Sequence, residues 1–160
     1  MRLEKRVAAA LLGRKVTLSL AESCTGGAVA ARLVSVPGIS AVFLGGVVSY
    51  TNEVKMGLLG VLPDTLSHHT AVSAPVAMEM ADGIRRRTGS DIALSVTGLA
   101  GPGGGTPQIP VGRVFVGVAS AKGTRAASFT FTGGRRSVRK KAVCAVLCEV
   151  LAELAELDLD

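Results

Sequence analysis

Asp91 to Thr97 reads as a strand with almost no polar surface, and such a strand is stable only when both of its faces are covered. That requirement points to helices packed on the two sides of a sheet. The chain supplies them. Leu3, Val7, Ala10 and Leu11 recur at helical spacing, so a first helix is expected over residues 2–13, with Gly13 as its stop. Val16 to Ala21 is short and β-rich, and Ala28 to Val36 then reads as a helix stopped by Pro37-Gly38. Val42 to Thr51 is expected to be a second strand, with Gly45-Gly46 marking a bulge or a close approach.

Asn52 is the expected N-cap of a short helix carrying Lys55, and a further short helix after Pro63 contains His68 and His69. Ser73 is placed to cap a longer helix, Ala74 to Thr88, closed by Gly89. Gly98 to Gly112 is too rich in glycine and proline for any regular element and reads as a loop. Val114 to Ala121 and Ala126 to Thr132, separated by Lys122-Gly123-Thr124-Arg125, form an antiparallel pair, and a long helix runs from Arg136 to the end. Helices between the first three strands, followed by a hairpin, predict an α/β protein: a three-layer α/β/α sandwich with a mixed five-stranded sheet, one domain over residues 1–160.

Charge and composition narrow the function. The formal charge is +6, but there is no Trp, one Tyr and four Phe, so the stacking platforms of single-stranded nucleic-acid binders are nearly absent. The charge suits small anions, and no nucleic-acid partner is expected. No stretch approaches the roughly 20 apolar residues of a membrane helix, and the charged N-terminus does not read as a signal peptide. Cys24, Cys144 and Cys148 are too few and too unevenly placed for a disulfide framework, so a reducing cytoplasm is the expected setting, with no membrane partner. Cys144 and Cys148 lie four apart on one helix face without further ligands, which reads as packing, so neither metal nor cofactor is expected.

In open α/β sheets ligands bind at the carboxyl ends of the strands, and the polar clusters of this chain fall there. The turn Glu22-Ser23-Cys24-Thr25-Gly26-Gly27 precedes a helix whose backbone amides would suit an oxyanion or a phosphate; Ser23 or Thr25 would equally serve as a plain helix cap. A serine nucleophile needs a base. His68 and His69 sit together on an exposed helix and support no Ser-His-Asp triad, which leaves Lys55 as the base, with Tyr50 orienting or relaying the proton. Cys24 is the competing nucleophile, because a thiolate is stabilised at a helix N-terminus. Gly98 to Gly105 lacks the Gly-Lys-Ser/Thr ending of a phosphate loop and reads as a pocket wall. Arg135, Arg136, Arg139, Lys140 and Lys141 crowd the start of the last helix, where the macrodipole disfavours cations; a bound anion or a solvated face would account for them.

Five segments in fixed order carry a resemblance: Ala21-Glu22-Ser23-Cys24-Thr25-Gly26-Gly27, Ser49-Tyr50-Thr51-Asn52-Glu53-Val54-Lys55, Ala71-Val72-Ser73, Ser95-Val96-Thr97-Gly98-Leu99-Ala100-Gly101-Pro102 and Pro110-Val111-Gly112. Over residues 3–155 the chain closely resembles the CinA C-terminal domain family, the nicotinamide-nucleotide amidases. The resemblance implies hydrolysis of the carboxamide of nicotinamide mononucleotide to nicotinate mononucleotide and ammonia, in pyridine-nucleotide recycling. It implies Ser23 as nucleophile, Lys55 and Tyr50 as its support and Thr97 in substrate binding or oxyanion support. Glu22, Cys24, Thr25, Gly26, Gly27, Gly98, Gly101, Arg135 and Arg139 are the expected substrate-binding set.

It also implies a homo-oligomer acting on a small nucleotide. Family members often carry Gly-Asp-Arg before the last helix, where this chain has Gly133-Gly134-Arg135; longer relatives add an N-terminal molybdopterin-binding-like domain to which none of these 160 residues corresponds. The alternative reading is a non-catalytic pyridine-nucleotide-binding or competence-associated module.

Overall fold

The computed structural model describes residues 1–157; the end of the expected last helix beyond Leu157 lies outside the described residues. The chain runs α1 (Leu3–Arg14), β1 (Leu18–Glu22), α2 (Ala28–Val34), a 3₁₀ turn (Ile39–Ala41), β2 (Phe43–Val48), α3 (Asn52–Leu59), α4 (Pro63–His69), α5 (Ala74–Thr88), β3 (Ile92–Gly98), β4 (Arg113–Ser120), β5 (Gly123–Thr130) and α6 (Arg135–Leu157). The strands form one sheet in the order β2-β1-β3-β4-β5. β1 pairs parallel with both β2 and β3, and the pairs β3–β4 and β4–β5 are antiparallel. The fold is therefore a three-layer α/β/α sandwich with a mixed five-stranded sheet.

Strand alternation sends neighbouring side chains to opposite faces, and each face has its own core. Leu18, Leu20, Leu94 and Val96 pack with α1, α2 and α6 through Val7, Leu11, Val29, Leu33, Val146 and Val150. Ala21 and Ala93 pack on the other face with Leu59, Val76, Met80 and Ile84 of α3 and α5. β3 is buried from Ile92 to Thr97, as a strand covered on both faces must be.

Several boundaries differ from the sequence reading. β1 begins at Leu18 because Asp91 holds the preceding residue, accepting hydrogen bonds from the Thr17 amide (2.8 Å) and hydroxyl (2.7 Å). α2 ends at Val34, and a 3₁₀ turn occupies part of the expected connection to β2. The expected Asn52 cap falls one residue earlier: Thr51 is extended, and its hydroxyl accepts from the Val54 amide. The β4–β5 turn is tighter than Lys122 to Arg125, with Ser120 facing Gly123 across the ladder. Of the two features expected at Gly45-Gly46, the close approach is found there, where a Cβ on Gly46 would lie 2.5 Å from the Leu20 carbonyl oxygen; the β1–β2 register shift falls just before the pair, at Leu44, between Leu18↔Phe43 and Ser19↔Gly45.

β1 sends the chain outward through α2 to β2, and the chain then crosses back over β1 to reach β3. The strand order thus reverses beside the carboxyl end of β1. A crevice opens at such a point.

Candidate active site

Ser23 directly follows β1, and its amide extends the ladder by one bond to the Val96 carbonyl (2.9 Å). Ser49, just past β2, donates its amide to the Glu22 carbonyl (2.8 Å), which brings the chain leading into α3 alongside the serine. α3 then runs back over the sheet. Leu59 is buried in the core, and Lys55, one turn earlier on the same helix face, must therefore point inward as well.

Lys55 is 2% exposed, and its Nζ lies 3.1 Å from Ser23 Oγ and 2.7 Å from the Ser49 carbonyl oxygen. Burial holds its pKa below the usual lysine range, opposed only weakly by the Cys24 thiol. Nζ donates to both oxygens, and loss of a proton, which burial favours, would free a lone pair toward the serine hydroxyl.

Cys24 lines the same cavity but is chemically quiet. Burial, helped by the negative charge of Glu22, pushes its thiol up to about 11 against the opposing pull of its own backbone amide and of Arg139 and Lys55. A thiol in that state is a poor nucleophile at neutral pH. The geometry therefore separates two residues that the sequence left in competition.

Glu22 and Thr25 do not line the cavity. The Glu22 carboxylate, 2% exposed, turns under α2 and accepts from the Thr25 hydroxyl (2.6 Å) and from the amides of Gly27 (3.0 Å), Val29 (3.1 Å) and Ala30 (2.8 Å). The helix amides that the sequence offered to an oxyanion are thus engaged by the protein's own carboxylate. Gly26 and Gly27 adopt positive φ of 59° and 92°, a conformation that favours glycine, and they shape the turn from behind the serine.

The cavity, about 220 Å³, is lined by Ser23, Cys24, Lys55, Thr97 and Gly98, with Tyr50 and Arg135 at an exposed rim. Thr97 donates its single hydroxyl proton to the Ala71 carbonyl (2.7 Å), so its oxygen presents lone pairs to a ligand. A Cβ on Gly98 would lie 2.8 Å from Val114 and 3.2 Å from Cys24 Sγ, which keeps this wall tight. Tyr50 is 58% exposed, and its hydroxyl accepts from Arg135 (2.9 Å) rather than touching Lys55.

Arg135 also donates to the Gly101 carbonyl (2.8 Å), tying the Gly-rich loop to the rim. Arg139 donates to the carbonyls of Cys24 (3.0 Å) and Thr25 (2.8 Å), and Lys141 to that of Thr132 (2.7 Å). Three cations of the α6 cluster are therefore held by oxygens of neighbouring loops. That accounts for much of the crowding without a bound anion.

Asn52, read from sequence as a cap, instead lines the cavity, because Thr51 takes over the capping. Ala71 and Val72 also line it; neither bears a reactive side chain, and only their place in an ordered motif singled them out. His68 and His69 are exposed on α4 and take no part in the cavity lining. A larger hollow, about 550 Å³, lies between the β4–β5 turn and α6, but its acids Glu149 and Glu153 are paired with Arg125. Among the described residues, no helix is long and apolar enough to cross a membrane.

The model of the CinA C-terminal domain matches residues 1–154. A CinA-like protein from Chlorobaculum tepidum is 49% identical over 161 residues, an alignment covering 98% of this chain and 38% of that protein. The chain thus spans well under half the length of that curated relative. Among solved structures, a competence-damaged protein (CinA) superfamily protein from Klebsiella pneumoniae superposes with a TM-score of 0.92 at 37% identity, covering 96% of each chain. The competence/damage inducible protein CihA from Agrobacterium tumefaciens gives 0.90 at 37% identity, covering 96% of this chain and 93% of that one.

Proposed function

This chain belongs to the CinA C-terminal domain family, and from that premise we propose that it is an amidohydrolase that releases ammonia from the carboxamide of nicotinamide mononucleotide through a serine-lysine pair. The observation that carries this reading is the contact of 3.1 Å between Ser23 Oγ and the buried Lys55 Nζ, with no carboxylate paired to the lysine among the described residues. A lysine held in that way gives up its proton more readily than a solvated one and can serve as a base, and a hydroxyl beside it is an activated nucleophile.

Ser23 Oγ attacks the carboxamide carbon as its proton passes to Lys55. The resulting oxyanion is received by the amide of Cys24, a cavity-lining residue outside the Glu22 network, in place of the helix amides that Glu22 occupies. Lys55 then returns the proton to the departing nitrogen, ammonia leaves, and an acyl-enzyme remains. Water, deprotonated by the same lysine, cleaves it and regenerates the serine. The Thr97 oxygen accepts from the carboxamide N–H₂ and orients it. Arg135, already fixed at the rim, offers its remaining donors to an anionic group of the substrate. The resemblance to nicotinamide-nucleotide amidases supports the substrate class, and the Ser23–Lys55 contact supports the acid-base assignments.

The test is ammonia release from nicotinamide mononucleotide compared with the riboside and free nicotinamide, with wild type, Ser23→Ala and Lys55→Ala, each with a chelator. Activity confined to the nucleotide, lost in both variants and unchanged by the chelator, is the expected result. Full turnover by Ser23→Ala would remove the mechanism. Tight nucleotide binding without turnover by wild type would favour a binding module.

A further inference from the structure

We propose that Glu22 is a positioning residue: its buried carboxylate holds the turn that carries Ser23 so that the serine hydroxyl stays against Lys55. The inference rests on reading Ser23 as the nucleophile. Its basis is the geometry beneath that residue.

Glu22 is the last residue of β1, and Ser23, at the bend that follows, still joins the ladder through its amide while its side chain meets the opposite layer. Glu22 points to the α2 layer and Ser23 to the layer holding α3 and Lys55. Anchoring one side chain therefore sets the direction of the other. The anchor is strong in number, with four donors from Thr25, Gly27, Val29 and Ala30 converging on one carboxylate. α2 needs such an acceptor, because its N-cap is Gly27 and no side chain of the cap itself reaches the first-turn amides.

The same turn is gripped from its other side, where Arg139 takes the carbonyls of Cys24 and Thr25. Amides pulled toward a carboxylate and carbonyls pulled toward a guanidinium fix the peptide planes on both sides of the turn. The backbone around Ser23 has little freedom left. An arrangement serving only helix stability would not need the carboxylate to come from the residue adjoining the nucleophile.

The placement also settles an electrostatic conflict. A free carboxylate one residue from Ser23 would favour the protonated, non-basic form of Lys55. Here the charge is distributed over four donors at the positive end of a helix, and the influences on Lys55 are burial and the Cys24 thiol.

The decisive variant is Glu22→Gln, which keeps size but turns an N–H₂ toward donors. Two readouts are needed: kcat and KM for ammonia release, and the rate at which a fluorophosphonate probe labels Ser23. In labelling, Oγ bonds to phosphorus, fluoride leaves and the proton passes to Lys55. A displacement of the hydroxyl by about 1 Å costs on the order of a hundredfold, so kcat and labelling rate are expected to fall together by about that factor, with KM within about threefold and the melting transition still cooperative. A variant that keeps both rates within about threefold of wild type overturns the proposal.

If Glu22→Gln does not fold, Thr25→Val decides. It removes one of the four donors and is expected to lower both rates severalfold with KM unchanged, and unchanged rates overturn the proposal. A wild type that labels rapidly but releases no ammonia defeats the assigned substrate. The dependence of labelling on Glu22 then still tests the positioning.

Discussion

Gly83 of α5 lies directly under Leu59 of α3, so close that a Cβ at position 83 would sit 1.9 Å from the Leu59 carbonyl oxygen. Lys55 is one turn from Leu59 on the same helix. The base of the site therefore depends on a glycine with no place in the cavity wall. Gly83→Ala is expected to cost about 1–3 kcal/mol through overpacking and to lower activity as well, because the displaced helix carries Lys55 with it. Thermal melting and ammonia release together check this; lost stability with full activity would contradict it.

Lys55→Met separates catalysis from stability. Removing the base is expected to lower turnover by about 10²–10⁴-fold, while stability at neutral pH holds or rises because a buried amine is replaced by an apolar chain. The sign follows from linkage. Burial lowers the folded-state pKa below the ordinary 10.5, so between the two values the unfolded chain binds more protons. The Lys55 contribution to stability should therefore rise with pH across that window, its penalty being complete below it. The raised Cys24 thiol acts in the opposite sense between 9.0 and about 11 in both proteins, so the check is the difference: denaturation of wild type minus Lys55→Met across the alkaline range should show the rising slope.

The pH dependence of turnover identifies the nucleophile. With Lys55 as base, the rate rises as pH passes upward through its lowered pKa, below the point at about 11 where the Cys24 thiol ionises. Cys24→Ser should preserve most of the activity and the same rising limb. A rate that continues to climb toward pH 11, and vanishes in Cys24→Ser, would transfer the chemistry to the thiol.

Arg135 holds two oxygens, the Gly101 carbonyl and the Tyr50 hydroxyl, from two nitrogens of one planar group. Lysine, a single point of charge, does not reproduce that fork. Arg135→Lys is expected to raise KM about tenfold with a smaller change in kcat, since the rim and the Gly-rich loop loosen while Ser23 and Lys55 stay in place. Steady-state kinetics with the nucleotide would show it, and an unchanged KM would argue against a role for the rim in binding.

The histidines and the Gly-rich segment were legible from local pattern alone. His68 and His69 were expected on an exposed helix and are there, and Gly98 to Gly112 forms wall and loop, apart from the last residue of β3. Boundaries were less legible where a side chain from elsewhere intervenes. Asp91 delays the start of β1, and Thr51 takes the cap expected of Asn52.

Composition and periodicity were enough to determine the kinds and order of the elements, because apolar spacing at two or 3.6 residues records which face of a segment is buried. Positions after predicted strands, and the family resemblance, singled out Ser23 and Lys55 as candidates for chemistry. What only the tertiary structure decided is which groups meet. Strand order β2-β1-β3 sets the ends of β1 and β2 side by side, so residues 32 apart in sequence come within 3.1 Å. The same packing buries Lys55, silences Cys24 and turns Glu22 under the helix. Distances and burial of this kind arise from contacts remote in sequence, and local spacing carries no record of them.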